Sequence, residues 1–196
     1  MPCAMMHLVC AKLYDPKADI AFYIGNEAPD CMDIREIKDK SHFRIYKGEE
    51  REARLTEFAR TLDLNDPYEL GVLLHLYVDM LWDRGPMAEH RKNYKGECWF
   101  RDYRWQIRLI GTHIYKNADW SKDIWVEMCE ANESKYASLE IFPAEKIKSY
   151  LIFNRDRDRS AETTPSPDFP PELVDKFCID AVAQFKVFLN RISTVR

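Results

Sequence analysis

Glycine is scarce in this chain, with six in 196 residues. None forms a phosphate-cradling loop, and no GxSxG turn or catalytic-cysteine setting occurs, which leaves out P-loop and nucleophile-elbow chemistry. The six cysteines (Cys3, Cys10, Cys31, Cys98, Cys129, Cys178) are scattered without a CxxC pair, a spacing unlike the disulfide framework of a short secreted domain. No apolar run approaches the roughly 18 residues that suggest a membrane span. Positive charge is also short: 29 Lys and Arg face 33 Asp and Glu, a net charge of -4. That balance argues against a nucleic-acid partner, because coating a polyphosphate needs a basic face. It still admits a small phosphorylated substrate held by a metal. Repeats and β-hairpin signals are lacking as well.

What remains is ordinary globular material, 46% hydrophobic and 32% charged, in a length that suits a single domain over 1–196. The start, MPCAMMHLVCAKLYD, has neither a basic opening nor a long hydrophobic stretch, and reads as a core helix rather than a signal peptide. The expectation is a soluble, reduced, cytoplasmic protein.

Helical periodicity dominates. Residues 4–14 put His7, Cys10, Ala11 and Tyr14 on one stripe, and residues 51–63 repeat Leu55, Phe58, Ala59 and Leu62, both at helical spacing. Asn65-Asp66-Pro67 has the cap-then-proline order of a helix start. The helix it opens, from Tyr68 to about Asp83, is apolar nearly all round and belongs at the centre; Gly85-Pro86 ends it. Further helices are expected over 98–117, 120–132 and 143–154, and after Pro170-Pro171. The charged, proline-rich stretch 155–171 reads as a mobile loop. Two stretches, 24–33 and 37–48, read as non-helical connections where binding residues collect. The fold class is all-α, a multi-helix bundle.

Within the central helix, His75 and Asp79 stand at i and i+4 and share a face with Val72, Val78 and Trp82. An unpartnered imidazole and carboxylate on such a face would cost several kcal/mol or shift their pKa values. A core His–Asp hydrogen bond resolves this, and so does a divalent cation, for which both side chains are good ligands. The wider set leans toward the cation. His7 lies on the inward stripe of the first helix, Asp30 follows a proline in a turn, and His42 lies twelve residues further on. Three histidines and two aspartates suffice for one metal with an open position, or for a close pair. Each has a plainer reading alone: a packed histidine, a turn aspartate.

In order, P-x(4)-HL, FYIGNEAPD, KDKSHF and LGVLLHLYVDMLW resemble the zinc-dependent phospholipase C family, which is related to the S1/P1-type nucleases. The matching segments span residues 2–83. The resemblance implies an all-helical phospholipase C/P1 nuclease type of bundle. It makes Asp30, His42, His75 and Asp79 ligands of one zinc, with Asp79 bridging to a second zinc held by His7. The family's further site uses histidines and a glutamate in an HxxxE pattern after the central helix; here position 117, four after His113, is Asn. Asp102, with Glu89, His90 and Glu97 before it, is the candidate replacement ligand. His113 lies eleven residues from Asp102, roughly 16 Å along a helix, so the two cannot share an ion.

These readings converge on a zinc-dependent phosphoester hydrolase with one to two ions, or another divalent metal, acting through a metal-activated water. Asp30 would orient or deprotonate that water. Arg35, Lys38 and Lys40 flank the site and could receive a phosphate; a solvated basic loop is the plainer account. The partner is a small phosphorylated substrate or a lipid headgroup, and a twofold homodimer is the commonest assembly. Two alternatives stand: a non-catalytic, metal-stabilised helical binding domain, and an HD-type phosphohydrolase. The second needs an adjacent His-Asp pair, which the sequence lacks.

Overall fold

The computed structural model of the chain describes residues 2–136, 139–161 and 164–193. In chain order its helices are α1 (Ala4–Tyr14), α2 (Ile20–Glu27), α3 (Arg35–Ser41), α4 (Gly48–Thr61), α5 (Pro67–Arg84), α6 (Pro86–Asn93), α7 (Trp99–Asn117), α8 (Ser121–Glu130), α9 (Ala144–Ser160) and α10 (Pro171–Ser193). Short 3-10 turns cover Ala28–Cys31 and Glu133–Lys135. Strands are absent among the described residues, so the architecture is an all-α multi-helix bundle. No helix there is long and apolar enough to cross a membrane.

α5 begins as its sequence dictates. The Asp66 carboxylate accepts hydrogen bonds from the backbone N–H groups of Tyr68 (2.7 Å) and Glu69 (3.4 Å), satisfying donors that a helix start leaves open. Pro67 occupies the first helical position, where a missing N–H costs nothing. From Val72 to Met80 every α5 side chain is buried, so the helix is surrounded on all sides.

Its closest neighbour is α2, and two glycines set the separation. A Cβ on Gly25 would sit 2.0 Å from the Tyr68 carbonyl oxygen, and one on Gly71 would sit 2.1 Å from that of Phe22. Each backbone thus lies against a position where the other helix has no side chain. This contact brings the C-terminal end of α2 and the following turn against the middle of α5. α1 packs on α2, α5, α7 and α10 and buries Met5, Met6, Leu8 and Cys10.

Three expectations need correcting. The stretch 24–33 is largely helical, since α2 runs through Glu27 and a 3-10 turn follows; of 37–48 only the first part is, in α3 (Arg35–Ser41), while residues 42–47 form the expected non-helical connection. Tertiary packing accounts for the first, since Gly25 serves the contact with α5 and does not break the helix. Pro86 opens α6 as well as ending α5, the first-turn use of proline. The expected loop 155–171 is shorter, because α9 continues to Ser160 with Asp158 buried on its inner face; residues 162 and 163 lie outside the described residues.

Candidate metal centre

His7, Asp30, His42, His75 and Asp79 converge, although they come from four separate elements. His7 projects from α1, Asp30 from the 3-10 turn, and His42 from the C-terminal cap of α3. His75 and Asp79 lie on consecutive turns of α5. All are buried: Asp30 is the most exposed at 7%, and His7, His75 and Asp79 are at 0%.

Backbone carbonyls fix two of the imidazoles. His75 Nδ1 lies 2.6 Å from the Asn26 carbonyl oxygen, and His42 Nδ1 lies 2.8 Å from that of Lys38. A carbonyl only accepts, so both Nδ1 atoms carry a proton, and each ring in its neutral form presents a bare lone pair at Nε2. Those two Nε2 atoms are 3.3 Å apart, and two lone pairs cannot bond to each other. Asp30 Oδ1 completes a triangle with them, 3.2 Å from His42 Nε2 and 3.6 Å from His75 Nε2. A tetrahedral zinc with Zn–N bonds of about 2.0–2.1 Å holds two such nitrogens about 3.3–3.4 Å apart. Asp79 Oδ2 is a fourth donor, 3.4 Å from His42 Nε2 and 3.9 Å from His75 Nε2.

A second group, His7, His75 and Asp79, also has ligand atoms close enough to share an ion. His7 stacks on His75 with ring centroids 3.7 Å apart. Its Nε2 lies 3.6 Å from Asp79 Oδ1. Both nitrogens of His7 and Asp79 Oδ1 are buried without a hydrogen bond, a condition native cores rarely tolerate. The donor set of imidazole nitrogens and carboxylate oxygens, with these atoms orphaned, fits a divalent cation.

The cluster carries its own counter-charges. Lys38 Nζ is 2.7 Å from Asp30 Oδ1, and the Arg44 guanidinium bonds to Asp79 Oδ2 and, at 2.9 Å, to Asp83 Oδ2. Arg51 of α4 reaches Asp83 Oδ2 at 2.9 Å and the His42 carbonyl at 3.2 Å. Phe43, between His42 and Arg44, has a φ of 55°. This left-handed residue, costing about 1–2 kcal/mol, turns the chain so that both neighbours face the cluster.

Ionisation follows from these contacts. Burial would raise Asp30, yet Lys38 and the histidines outweigh it and hold the carboxyl well below its usual range. Asp79 is likewise held well below despite its burial, chiefly by Arg44. Burial, then the neighbouring His75, pushes His7 down to about 4, and burial also lowers His42. Carboxylates kept charged and imidazoles kept neutral are the protonation states a metal requires of its ligands.

Asp102 stands elsewhere. On α7 it pairs with Arg101 at 2.8 Å and accepts from Tyr94, and it belongs to neither metal-competent group. His90 lies between Trp99, whose indole donates to its Nδ1 at 3.0 Å, and Asp168, 3.0 Å from its Nε2. His113 contacts Asn117 on its own helix. Of the basic residues flanking the motif, Lys38 reaches the cluster, whereas Arg35 pairs with Asp39 at 3.5 Å.

Four contributors escaped the sequence reading: Arg44, the Asn26 carbonyl, Glu27 and Asp83. Asp83 was visible in principle, since His75, Asp79 and Asp83 stand at i, i+4 and i+8 on one stripe of α5. Glu27 is fully buried with neither carboxylate oxygen hydrogen-bonded; burial, with Asp30 and Asp158 nearby, pushes its pKa well above the usual range.

Comparison with family models, with curated proteins and with solved structures finds no match to this chain.

Proposed function

We propose that the chain is a metal-dependent hydrolase acting on a phosphoester, with Asp30, His42, His75 and Asp79 holding one zinc or similar divalent ion and His7 with Asp79 serving a second. The observation that carries the metal assignment is the pair of facing Nε2 atoms, 3.3 Å apart, beside two charged carboxylates. A bound divalent ion supplies Lewis acidity, lowering the pKa of water and polarising a phosphoryl oxygen.

The chain's own residues do the rest. The Asn26 and Lys38 carbonyls hold both rings in the metal-binding tautomer. Asp30, whose Oδ2 accepts from the Tyr150 hydroxyl at 3.4 Å, is positioned to orient water. Lys38 and Arg44, now on the carboxylates, are the cations available to a phosphate once an ion neutralises Asp30 and Asp79. The residue order shared with the zinc-dependent phospholipase C family supports the same chemistry; the phosphoester is a small phosphorylated molecule or a lipid headgroup.

The near-complete burial of the cluster favours a second reading, a closed ion that only stabilises the fold. Elemental analysis of the purified protein, with a phosphodiester and phosphomonoester screen, separates the two. Bound metal with hydrolysis of either ester class supports the enzyme; bound metal with no turnover supports the structural ion; no metal overturns both.

A further inference from the structure

A cavity of about 470 Å³ is lined by Tyr115 and Lys116 of α7, Lys122 and Val126 of α8, and Arg155 and Arg159 of α9. Its volume falls in the range of small-molecule sites. Four of the six lining residues are cationic and none is acidic, in a chain whose net charge is -4. Like charges gathered from three helices repel one another, so the grouping costs stability unless an anion offsets it.

Local contacts leave most of that charge available. Lys116 Nζ donates to the Arg159 carbonyl oxygen at 2.8 Å, which ties α7 to α9 without neutralising either cation. Arg155 binds its neighbour Asp156 through Nε at 2.9 Å. Among the described residues, Lys122 and Arg159 form no ion pair. Tyr115 and Val126 add apolar lining, and Val126 is 44% exposed. On α9, Ile152, Arg155 and Arg159 are spaced i, i+3 and i+7, one face of the helix, so an exposed apolar residue adjoins the basic ones.

We propose that this cavity, separate from the metal centre, binds a phosphate-bearing anion through Lys116, Lys122, Arg155 and Arg159. A single carboxylate is satisfied by one guanidinium, whereas a phosphate offers charge and acceptor oxygens for several cations at once. The phosphate belongs either to a free metabolite or to a lipid headgroup, the latter served by the exposed Ile152 on the same face of α9.

The test titrates the full chain with inorganic phosphate and glycerol 3-phosphate, following backbone amide shifts. Cosedimentation with phosphatidylcholine vesicles, with and without phosphatidate, runs beside it. The expected result is saturable shifts centred on residues 115–126 and 155–159. The double variant K122E/R159E should weaken binding at least tenfold while its metal content stays unchanged and its melting temperature does not fall, since relief of the like-charge repulsion can only favour the fold. Binding of glycerol 3-phosphate alone assigns a free ligand, and phosphatidate-dependent cosedimentation lost in the variant assigns a headgroup. No binding of any probe, equal binding by the variant, or shifts spread over all surface lysines and arginines would overturn the site. Failure of the metal centre to hold an ion would leave this result untouched.

Discussion

The Nε2 atoms of His42 and His75 face each other at 3.3 Å while both Nδ1 protons are committed to backbone carbonyls. Two neutral imidazoles in that arrangement repel, and the charged carboxylates of Asp30 and Asp79 sit against them. A divalent ion converts the repulsion into ligation. Removing it with a chelator should therefore lower stability by about 2.7 kcal/mol where the ion stood about a hundredfold above its Kd. Thermal unfolding with and without chelator measures this; an unchanged melting temperature would count against a bound ion.

His7 distinguishes one ion from two. Its unpartnered nitrogens lie beside Asp79 and the stacked His75 ring. His7→Ala should reduce the number of ions per chain and leave the Asp30–His42–His75 triangle loaded. Elemental analysis reads the difference, and an unchanged count would remove His7 from the metal's ligands.

Lys38 tests the catalytic part of the account. Lys38→Met should lower kcat/KM for a phosphodiester about a hundredfold to a thousandfold, the range expected on loss of one charge-stabilising donor, with metal content unchanged. Equal activity would remove Lys38 from substrate binding.

Much of this was legible before any coordinates. The boundaries of α1 at 4–14 and the opening of α5 at Pro67 follow from periodicity and from the Asp66-Pro67 cap, which are local signals. The five residues of the cluster each stand out, because histidine and aspartate on an apolar face are conspicuous. Their convergence was less legible, since His7 meets Asp79 only through the packing of α1 on α5. Arg44 was invisible for a different reason: in the polar run after His42 it resembles a solvated cation, and only the left-handed turn at Phe43 directs it inward. Glu27 was passed over as part of a turn, because its burial depends on how closely α2 approaches α5.

That approach gives a packing prediction. Gly71→Ala would place a Cβ 2.1 Å from the Phe22 carbonyl, forcing α2 away from α5 at a cost of about 1–3 kcal/mol or more. The Asn26 carbonyl moves with α2, so metal affinity should fall together with the melting temperature. Loss of stability with unchanged affinity would mean that Asn26 does not position His75.

Glu27 sets a pH dependence. Its pKa is raised in the folded chain, so the folded state binds the proton more tightly than the unfolded one. This favours folding at pH values below the ordinary carboxyl range, and the advantage is lost as pH rises above it. Glu27→Gln, which mimics the protonated form, should gain stability relative to the parent with rising pH, by about 1–3 kcal/mol near neutrality. Paired melts across pH 4 to pH 8 check it; a variant less stable than the parent at neutral pH would show that the charge is compensated in the folded protein.

Anomalous scattering from crystals of the purified protein, collected across the zinc edge, tests the central claim most directly. The account predicts a peak between His42 Nε2, His75 Nε2 and Asp30 Oδ1, within bonding distance of all three, and a second beside His7 and Asp79. An ordered cluster with no anomalous peak, held together by Lys38 and Arg44 alone, would contradict it.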